Sequence, residues 1–345
     1  MNRVAITNMR RAVPGLLAAI LIVAGCGRAG PGTGDVATST RSASSTPIAA
    51  CAASGPSNRG SASAVFDAGR QVTVLFGGAT APPVTTNETW LFDGRCWQQA
   101  HPAISPAPRA GAGMAYNPVV DRTLLIGGRS QPPIQPDYPE DAWTWDGSRW
   151  TRVPGAPKLD YPVASFDEKL QVVVVFGWGP ASVPETWTWD GYTWARKSSP
   201  NSPSVYSASA MCFDRSTRSI LLYGGNSKQI EGGISAETWL WDGSAWSNPH
   251  PAHVPGPRSQ PVMVCGPRIV LFGGLTGGYV GQQANVASDT WAWSGADWQR
   301  LPTTNAPPDC CGNAVYDGSK QMVFDTGRDG IPMWSWNGSD WAIAA

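Results

Sequence analysis

The stretch Thr238-Trp239-Leu240-Trp241-Asp242-Gly243-Ser244-Ala245-Trp246 recurs in recognisable form along the whole chain. Trp239 and Trp241 are two residues apart, so in a β-strand their side chains share one face. Asp242-Gly243 follows at once and is a strong hairpin signal, because glycine accepts the positive φ that a tight turn needs. The stretch therefore predicts a strand, a tight turn and a return strand that opens with Trp246.

Six copies of this pattern follow one another at similar intervals. Their first tryptophans are 53, 44, 52, 52 and 43 residues apart. A period near fifty residues held through six copies indicates a repeat array. Seventeen of the 18 tryptophans belong to the pattern, and we expect their rings to pack between neighbouring repeats. The first tryptophans are Trp90, Trp143, Trp187, Trp239, Trp291 and Trp334.

Two more strand signals precede each copy. An apolar run closed by glycine lies upstream, as in 219–225, and a shorter run ending in a turn stands before it, as in 209–213. Each repeat thus supplies four short antiparallel strands, and so small a sheet cannot bury both faces alone. The repeats must therefore stack around an axis as blades. The predicted blades are residues 58–98, 108–152, 158–196, 204–248, 257–300 and 308–343.

The order of apolar run, Gly-Gly, variable loop, acidic-Thr-Trp and Trp-Asp-Gly resembles the kelch motif. From about residue 58 onward the chain is similar to the propeller domain of the galactose oxidase superfamily. The resemblance implies an all-β fold, namely a six-bladed β-propeller of four-stranded antiparallel blades, in agreement with the six copies. Two copies depart from the motif, with Gly177-Trp178 in the third and Thr326-Gly327 in the sixth. The copper ligands of the superfamily's oxidase have no match here, so no metal or other cofactor is expected.

The N-terminus has the features of an export signal. Arg3, Arg10 and Arg11 precede a short apolar run at 16–24, and Val23-Ala24-Gly25-Cys26 follows. This pattern matches the lipobox of bacterial lipoproteins, in which the cysteine thiol carries a diacylglycerol. The apolar run is too short for a typical spanning helix. The alternative is a plain secretory signal with an incidental cysteine.

Three segments follow from this signal. Residues 1–25 are the predicted signal peptide, residues 26–50 hold the lipidated Cys26 and a flexible Gly/Ser/Thr/Pro tether, and residues 51–345 form the propeller. The predicted location is the extracytoplasmic face of the bacterial cell membrane, with the lipid as the only membrane anchor, and a monomer is expected. The net charge is zero, which argues against a nucleic-acid partner, because such proteins usually carry a basic excess.

Six cysteines remain beside the lipobox cysteine, and six allow fifteen pairings. Disulfides are expected in an exported protein. Cys212 and Cys265 lie near the ends of the first strands of neighbouring blades and point to opposite sheet faces, so an inter-blade bridge between them is predicted. The partners open to Cys51 are Cys96, Cys310 and Cys311, the last two as a means of closing the ring.

An acidic residue stands two positions before the first tryptophan in five copies, and an arginine begins the first strand in three. A carboxylate can act in acid–base catalysis. A residue repeated in most blades is better explained by a hydrogen bond or ion pair that fixes a strand end. The acids are Glu88, Asp141, Glu185, Glu237 and Asp289, and the arginines are Arg59, Arg109 and Arg258.

The loops between second and third strands are long and unequal, and they share a face with the connections between blades. Long irregular loops on a rigid scaffold are where function usually resides. His101, His250 and His253 are expected on the same face. The predicted ligand-binding residues of this loop face are Arg129, Asp137, Tyr138, Trp178, Lys228, Tyr279, Gln282, Arg328 and Asp329.

The sequence contains no nucleophile elbow, phosphate loop or metalloprotease helix, so no catalytic residue is assigned. We expect a binding module that presents its loop face to an extracellular protein or carbohydrate. The alternative is an enzyme acting on a sugar or peptide at the central mouth of the propeller. Converging acids or histidines at the mouth favour catalysis, and an aromatic and polar surface favours binding. A purely structural envelope protein is the third possibility.

Overall fold

The computed structural model describes residues 55–80, 84–130, 141–230, 233–277, 285–307, 312–324 and 333–343. All of them belong to one compact unit, Ala49–Ala345. The regular elements in these ranges are all β-strands. Within the same ranges, no helix has the length and apolar character needed to cross a membrane.

The described strands form six four-stranded antiparallel sheets, each with its strands in chain order. Blade one consists of Ser63–Asp67, Val72–Phe76, Thr89–Phe92 and Trp97–Ala100, and blade two of Gly113–Asn117, Arg122–Ile126, Ala142–Trp145 and Trp150–Val153. Blade three consists of Asp160–Asp167, Val172–Trp178, Pro184–Trp189 and Trp194–Lys197, and blade four of Ala210–Asp214, Ser219–Tyr223, Thr238–Trp241 and Trp246–Ser247. Blade five consists of Val262–Val264, Val270–Phe272, Thr290–Trp293 and Trp298–Leu301, and blade six of Asn313–Tyr316, Gln321–Phe324, Trp334–Trp336 and Trp341–Ile343.

Three short ribbons lie beside the loops that join second and third strands. They pair Ala79–Thr80 with Val84–Thr85, Val205–Ser207 with Asn226–Ser227, and Leu275–Thr276 with Asn285–Val286.

The sheets are arranged as a closed propeller. The first strands of neighbouring blades contact one another around the whole ring, including blade six against blade one. First strands therefore surround the axis and fourth strands form the rim, which confirms the predicted six-bladed fold. Each blade is built from one continuous stretch of chain, so the ring closes without strand exchange. Side-chain packing holds blade six against blade one, with Val315 and Met322 of blade six packed against Phe92 of blade one.

The turn between third and fourth strands has the geometry that its Asp-Gly signal predicts. In blade four, Asp242 Oδ1 accepts the backbone N–H groups of Ser244 and Ala245 at 2.7 and 2.9 Å. Gly243 has a φ of 105°, which residues with a Cβ rarely adopt. The turn sets a register in which Trp241 lies opposite Trp246, and their ring centroids are 5.5 Å apart.

The last tryptophan of a repeat attaches its blade to the preceding one. Trp246 is buried, and its Nε1–H donates to Thr186 Oγ1 of blade three at 2.7 Å. Its ring meets Phe176 of blade three edge-on, with centroids 5.5 Å apart. The prediction that indole rings pack between blades is confirmed. The same indole-to-threonine bond joins Trp150 to Thr89, Trp298 to Thr238 and Trp341 to Thr290.

The repeated acids and arginines are structural, as predicted. Arg109 is fully buried, and its Nη1 donates to Asp141 Oδ1 at 2.6 Å and to the Gly127 carbonyl at 3.1 Å. The other oxygen of Asp141 accepts the Trp143 indole N–H at 2.7 Å. This set ties the end of the second strand to the start of the third. The equivalent ion pairs are Arg59–Glu88 and Arg258–Asp289.

One predicted disulfide is confirmed. Cys212 and Cys265 are bonded, with their Cα atoms 5.5 Å apart, and they link the inner parts of blades four and five. Cys96 is also disulfide-bonded, and its partner lies outside the described residues. Because Cys51, Cys310 and Cys311 lie outside them too, the pairing of Cys51 stays a prediction.

The substitution Asp141→Asn is expected to lower the free energy of unfolding at pH 7 by about 3 kcal/mol, because Arg109 stays buried without its counter-charge. Burial disfavours the charged carboxylate, but the hydrogen bond and charge of Arg109 hold the pKa of Asp141 below its usual 3.8. The stabilisation is therefore present above that value and is lost as the pH falls through the lower folded-state pKa. Urea unfolding at pH 7 and at decreasing pH measures both effects.

The matched control is Glu168→Gln, which breaks an ion pair with Arg215 whose side chains are both largely exposed. Such a pair contributes at most about 1 kcal/mol. Equal losses in the two variants at pH 7 would contradict the structural role of the buried pair.

Candidate functional site

A cavity of about 720 Å³ opens on the propeller axis. Its lining comes from the beginnings of the first strands of all six blades and from residues that follow second strands. Each first strand has one unpaired edge, so its backbone N–H and C=O groups are available toward the axis. Alanine, serine and glycine make up half of the lining residues, where six strands converge. The larger polar residues are Arg129, Asp160, Tyr161, Tyr206, Asn226, Gln260 and Asn313.

Charged and aromatic groups concentrate in the sector of blades two to four. Arg129 follows the Gly127-Gly128 pair of blade two, and its Nη1 donates to the Tyr161 hydroxyl of blade three at 3.0 Å. The Tyr161 ring lies over Gly111 of blade two, where an added Cβ would stand 3.1 Å from the ring. Glycine at this position therefore makes room for the ring, and blade two fixes both the ring and its hydroxyl.

Asp160 lies beside Tyr161 in the same wall. Its Oδ1 atom is buried and has no hydrogen-bond partner among the described residues. Burial raises the pKa of the carboxyl group, and the charges of Arg129 and Lys228 lower it without cancelling the effect of burial. A carboxyl group with a raised pKa in a cavity can hydrogen-bond a ligand or transfer a proton.

Two aromatic rings and a lysine continue the wall in blades three and four. The Trp178 Nε1–H donates to the Val205 carbonyl at 2.7 Å, and its ring meets Tyr206 edge-on with centroids 5.8 Å apart. Lys228 Nζ lies 5.5 Å from the Tyr206 ring centre and 5.7 Å from that of Trp178. These are distances at which a cation is attracted to a ring face.

The described candidates from the sequence converge in this sector. Arg129 lines the cavity, and Trp178 and Lys228 reach it through Tyr206. Their part in ligand binding stays a prediction. The other candidates lie outside the described residues, namely Asp137, Tyr138, Tyr279, Gln282, Arg328 and Asp329.

Sequence reasoning missed Asp160, Tyr161, Tyr206 and Gln260, which lie at or near the starts of first strands and inside the predicted blade ranges. A signal was available at the position held by arginine in blades one, two and five. That position is occupied by Leu159 in blade three and by Tyr206 in blade four. Blades three and four therefore lack the buried arginine and carry the aromatic and acidic groups of the mouth.

The acids of blades three and four have other partners in place of that arginine. Glu185 pairs with Arg196 at 2.9 Å, and Glu237 Oε2 accepts the Ser204 hydroxyl at 3.5 Å. These two blades therefore fix the start of their third strands without an arginine beside the mouth.

The three histidines lie outside the cavity lining. His253 Nδ1 is 2.8 Å from Asp297 Oδ2, in the turn between the third and fourth strands of blade five. His101 and His250 are exposed. Within the described ranges, His, Cys, Asp and Glu side chains form no group of three that could hold a metal ion.

These features define a six-bladed β-propeller with a polar axial cavity. The chain is similar to the solved structure titled "Structure of YjhT", with a TM-score of 0.62 and 11% sequence identity over 84% of this chain and 98% of that one. A likeness at this identity shows the fold alone. No family model matches the chain, and no curated protein matches it.

Asp160→Asn is expected to raise the melting temperature at pH 7. The folded-state pKa of Asp160 is raised, so its stabilising effect is complete below the unfolded-state value near 3.8 and is lost as the pH rises through the folded-state pKa. At pH 7 the wild-type protein therefore holds an unfavourable carboxylate that the amide removes. Thermal unfolding of both proteins at pH 7 and near pH 3.5 should show the difference disappearing in acid.

Asp121→Asn is the control of opposite sign. The Asp121 carboxylate pairs with Arg70 at 2.8 Å. Burial opposes its ionisation, but the hydrogen bonds of Tyr116 and Arg70 lower its pKa. This variant should lose stability at pH 7. A similar loss in Asp160→Asn would contradict the account of Asp160.

Proposed function

We propose that this protein is a kelch-like propeller that binds a carbohydrate in its axial cavity, held by a lipid on Cys26 at the extracytoplasmic face of the bacterial cell membrane. The observation that carries the proposal is the cavity of about 720 Å³ that all six blades enclose. Small-molecule sites typically measure roughly 300–1,000 Å³. A folded protein partner needs a contact surface of roughly 800 Å² on each side, so the cavity fits a small ligand better.

The chemistry of the lining suits a molecule rich in hydroxyl groups. A sugar hydroxyl both donates and accepts hydrogen bonds. The amides of Asn226 and Gln260 do the same, the Asp160 carboxylate accepts, and the unpaired strand edges offer both kinds of group. The rings of Tyr161 and Tyr206 add apolar surface. The cavity therefore supplies partners for hydroxyl groups from several directions.

Export and tethering rest on different observations. The lipobox ending at Cys26 and the low-complexity segment that follows support a lipid-anchored protein. The disulfide between Cys212 and Cys265 suits an oxidising compartment. The repeated acidic-Thr-Trp and Trp-Asp-Gly segments support the kelch-like assignment, because the acid and the threonine each make a contact that recurs from blade to blade.

An enzyme acting on a sugar or peptide is the second candidate, and Asp160 is the observation that favours it. Burial raises the pKa of this carboxyl group at the cavity wall, a property suited to proton transfer. The two candidates differ in whether the bound molecule is recovered unchanged.

Binding of a panel of mono- and oligosaccharides to the purified full-length protein tests the first candidate by calorimetry. We expect Arg129→Met and Asp160→Asn each to lower the affinity for the saccharide about tenfold or more, since a hydrogen bond to a charged group contributes about 1.5–3 kcal/mol. Tyr192→Ala is the control, because Tyr192 is 78% exposed and lies outside the lining.

Unchanged affinity in both cavity variants would place the ligand elsewhere. Mass spectrometry of the recovered saccharide separates binding from turnover. A chemically altered saccharide would favour the enzyme, with Asp160→Asn expected to abolish the conversion.

Lipid attachment is tested in the bacterial host with a labelled fatty acid. Cys26→Ala should remove the label, because the thiol that carries the lipid is absent. Cys51→Ala should keep it, since that cysteine lies outside the lipobox. Undiminished labelling of the Cys26 variant would end the anchoring proposal.

A further inference from the structure

The backbone is left-handed at one equivalent position in every blade where that position is described. This position lies just before the strand segment that borders the axis, and its residues are Ser61, Gly111, Tyr161, Ala208 and Gln260, with φ angles of 53°, 65°, 40°, 59° and 52°. All five line the axial cavity. They form a ring around its mouth, which we call the mouth ring.

The turn into the first strand explains the backbone of the mouth ring. Neighbouring members are joined directly in two places, where the Gly111 N–H donates to the Ser61 carbonyl and the Gln260 N–H to the Ala208 carbonyl, both at 2.7 Å. Glycine adopts this conformation with the least strain, and other residues adopt it at a cost. Gly111 alone among the five is glycine.

The backbone geometry therefore does not explain the side chains at the other four positions. Residues in sparsely populated backbone conformations persist where the surrounding structure holds them, and they cluster at functional sites. Tyr161 and Gln260 are the large polar members, and each also precedes a proline, which restricts the backbone further.

The Tyr161 hydroxyl has a defined direction. Its oxygen accepts the Arg129 Nη1–H at 3.0 Å, so its own hydrogen is left to donate to another group. The ring is fixed over Gly111. The residue therefore presents a positioned donor at the mouth.

Gln260 lies on another part of the ring, in blade five. It is exposed and belongs to the cavity lining, and no side-chain hydrogen bond joins its amide to another described residue. The amide can both donate and accept. Tyr161 and Gln260 thus offer complementary groups from different sectors of the same opening.

We propose that Tyr161 and Gln260 are specificity-determining residues of the axial cavity, which the left-handed mouth ring holds so that they hydrogen-bond hydroxyl groups of a saccharide. This proposal rests on the carbohydrate-binding function proposed above. Two groups at fixed positions distinguish hydroxyls by their direction, so the affinities for epimers should depend on both residues. Ala208 carries no polar group, so Ala208→Gly changes the backbone strain without removing a hydrogen-bonding side chain.

The test compares the full-length protein with Tyr161→Phe and Gln260→Gly, with Tyr192→Ala as the binding control and Ala208→Gly as the control for backbone strain. The probes are glucose, galactose and mannose, which differ in the direction of single hydroxyl groups, together with disaccharides of each. Tyr161→Phe and Gln260→Gly are each expected to lower the affinity for the preferred sugar about tenfold, which corresponds to the loss of about one hydrogen bond. They should also reduce the ratio of affinities between epimers, which a purely structural change would leave unaltered. Tyr192→Ala, which lies outside the cavity lining, should keep affinities within about twofold.

Melting temperatures supply a readout that needs no ligand. Gln260→Gly and Ala208→Gly should leave the melting temperature unchanged or raise it, because glycine relieves the left-handed strain. A clear fall in Gln260→Gly beside none in Ala208→Gly would assign the glutamine to the fold and overturn its role in specificity. If the wild-type protein binds a sugar, and both Tyr161→Phe and Gln260→Gly keep its affinity and the same ratio between epimers, this inference alone is overturned. A wild-type protein that binds none of the sugars overturns the proposed function and this inference together.

Discussion

The propeller depends on a contact that is repeated between neighbouring blades. A tryptophan at the start of each fourth strand packs between blades, and it is buried in blades two, four, five and six. In these four blades its indole N–H donates to a threonine at or near the start of the third strand of the preceding blade. Burying one such ring removes roughly 150–250 Å² from water, or about 4–6 kcal/mol of gross transfer free energy. Blade two has Ala142 at the threonine position, and the Trp194 N–H lacks a partner in the described part of the chain. Packing of the indole ring is therefore common to the blades, whereas the indole-to-threonine hydrogen bond is made in four of them.

Much of the fold could be predicted because it is encoded locally. Tryptophans two apart, an Asp-Gly turn and a fifty-residue period are visible in the sequence, and each has a direct structural meaning. The alternation of side chains along a strand was enough to place Cys212 opposite Cys265. A structural role for the repeated acids followed from their recurrence, and the structure pairs Asp141 with Arg109.

The candidate site was less accessible to the same reasoning. Tyr161 and Arg129 are 32 residues apart and belong to different blades, so their meeting depends on how the ring closes. The segments at the starts of the first strands have no hydrophobic periodicity, so nothing in them indicates a ligand site. The useful sign was a departure from the repeat, since Leu159 and Tyr206 replace the buried arginine in the two blades that carry the acidic and aromatic groups of the mouth. In this propeller, the charged and aromatic residues of the mouth lie in blades that lack the arginine contact shared by other blades.

The account is tested most directly by the free energy of unfolding of Trp246→Ala, measured in urea beside Tyr192→Ala. Trp246 is 1% exposed at the boundary of blades three and four, whereas Tyr192 is 78% exposed in a turn. If buried indoles hold the blades together, the tryptophan variant should lose about 3–5 kcal/mol and the tyrosine variant at most about 0.5 kcal/mol. Equal and small losses in both would contradict it.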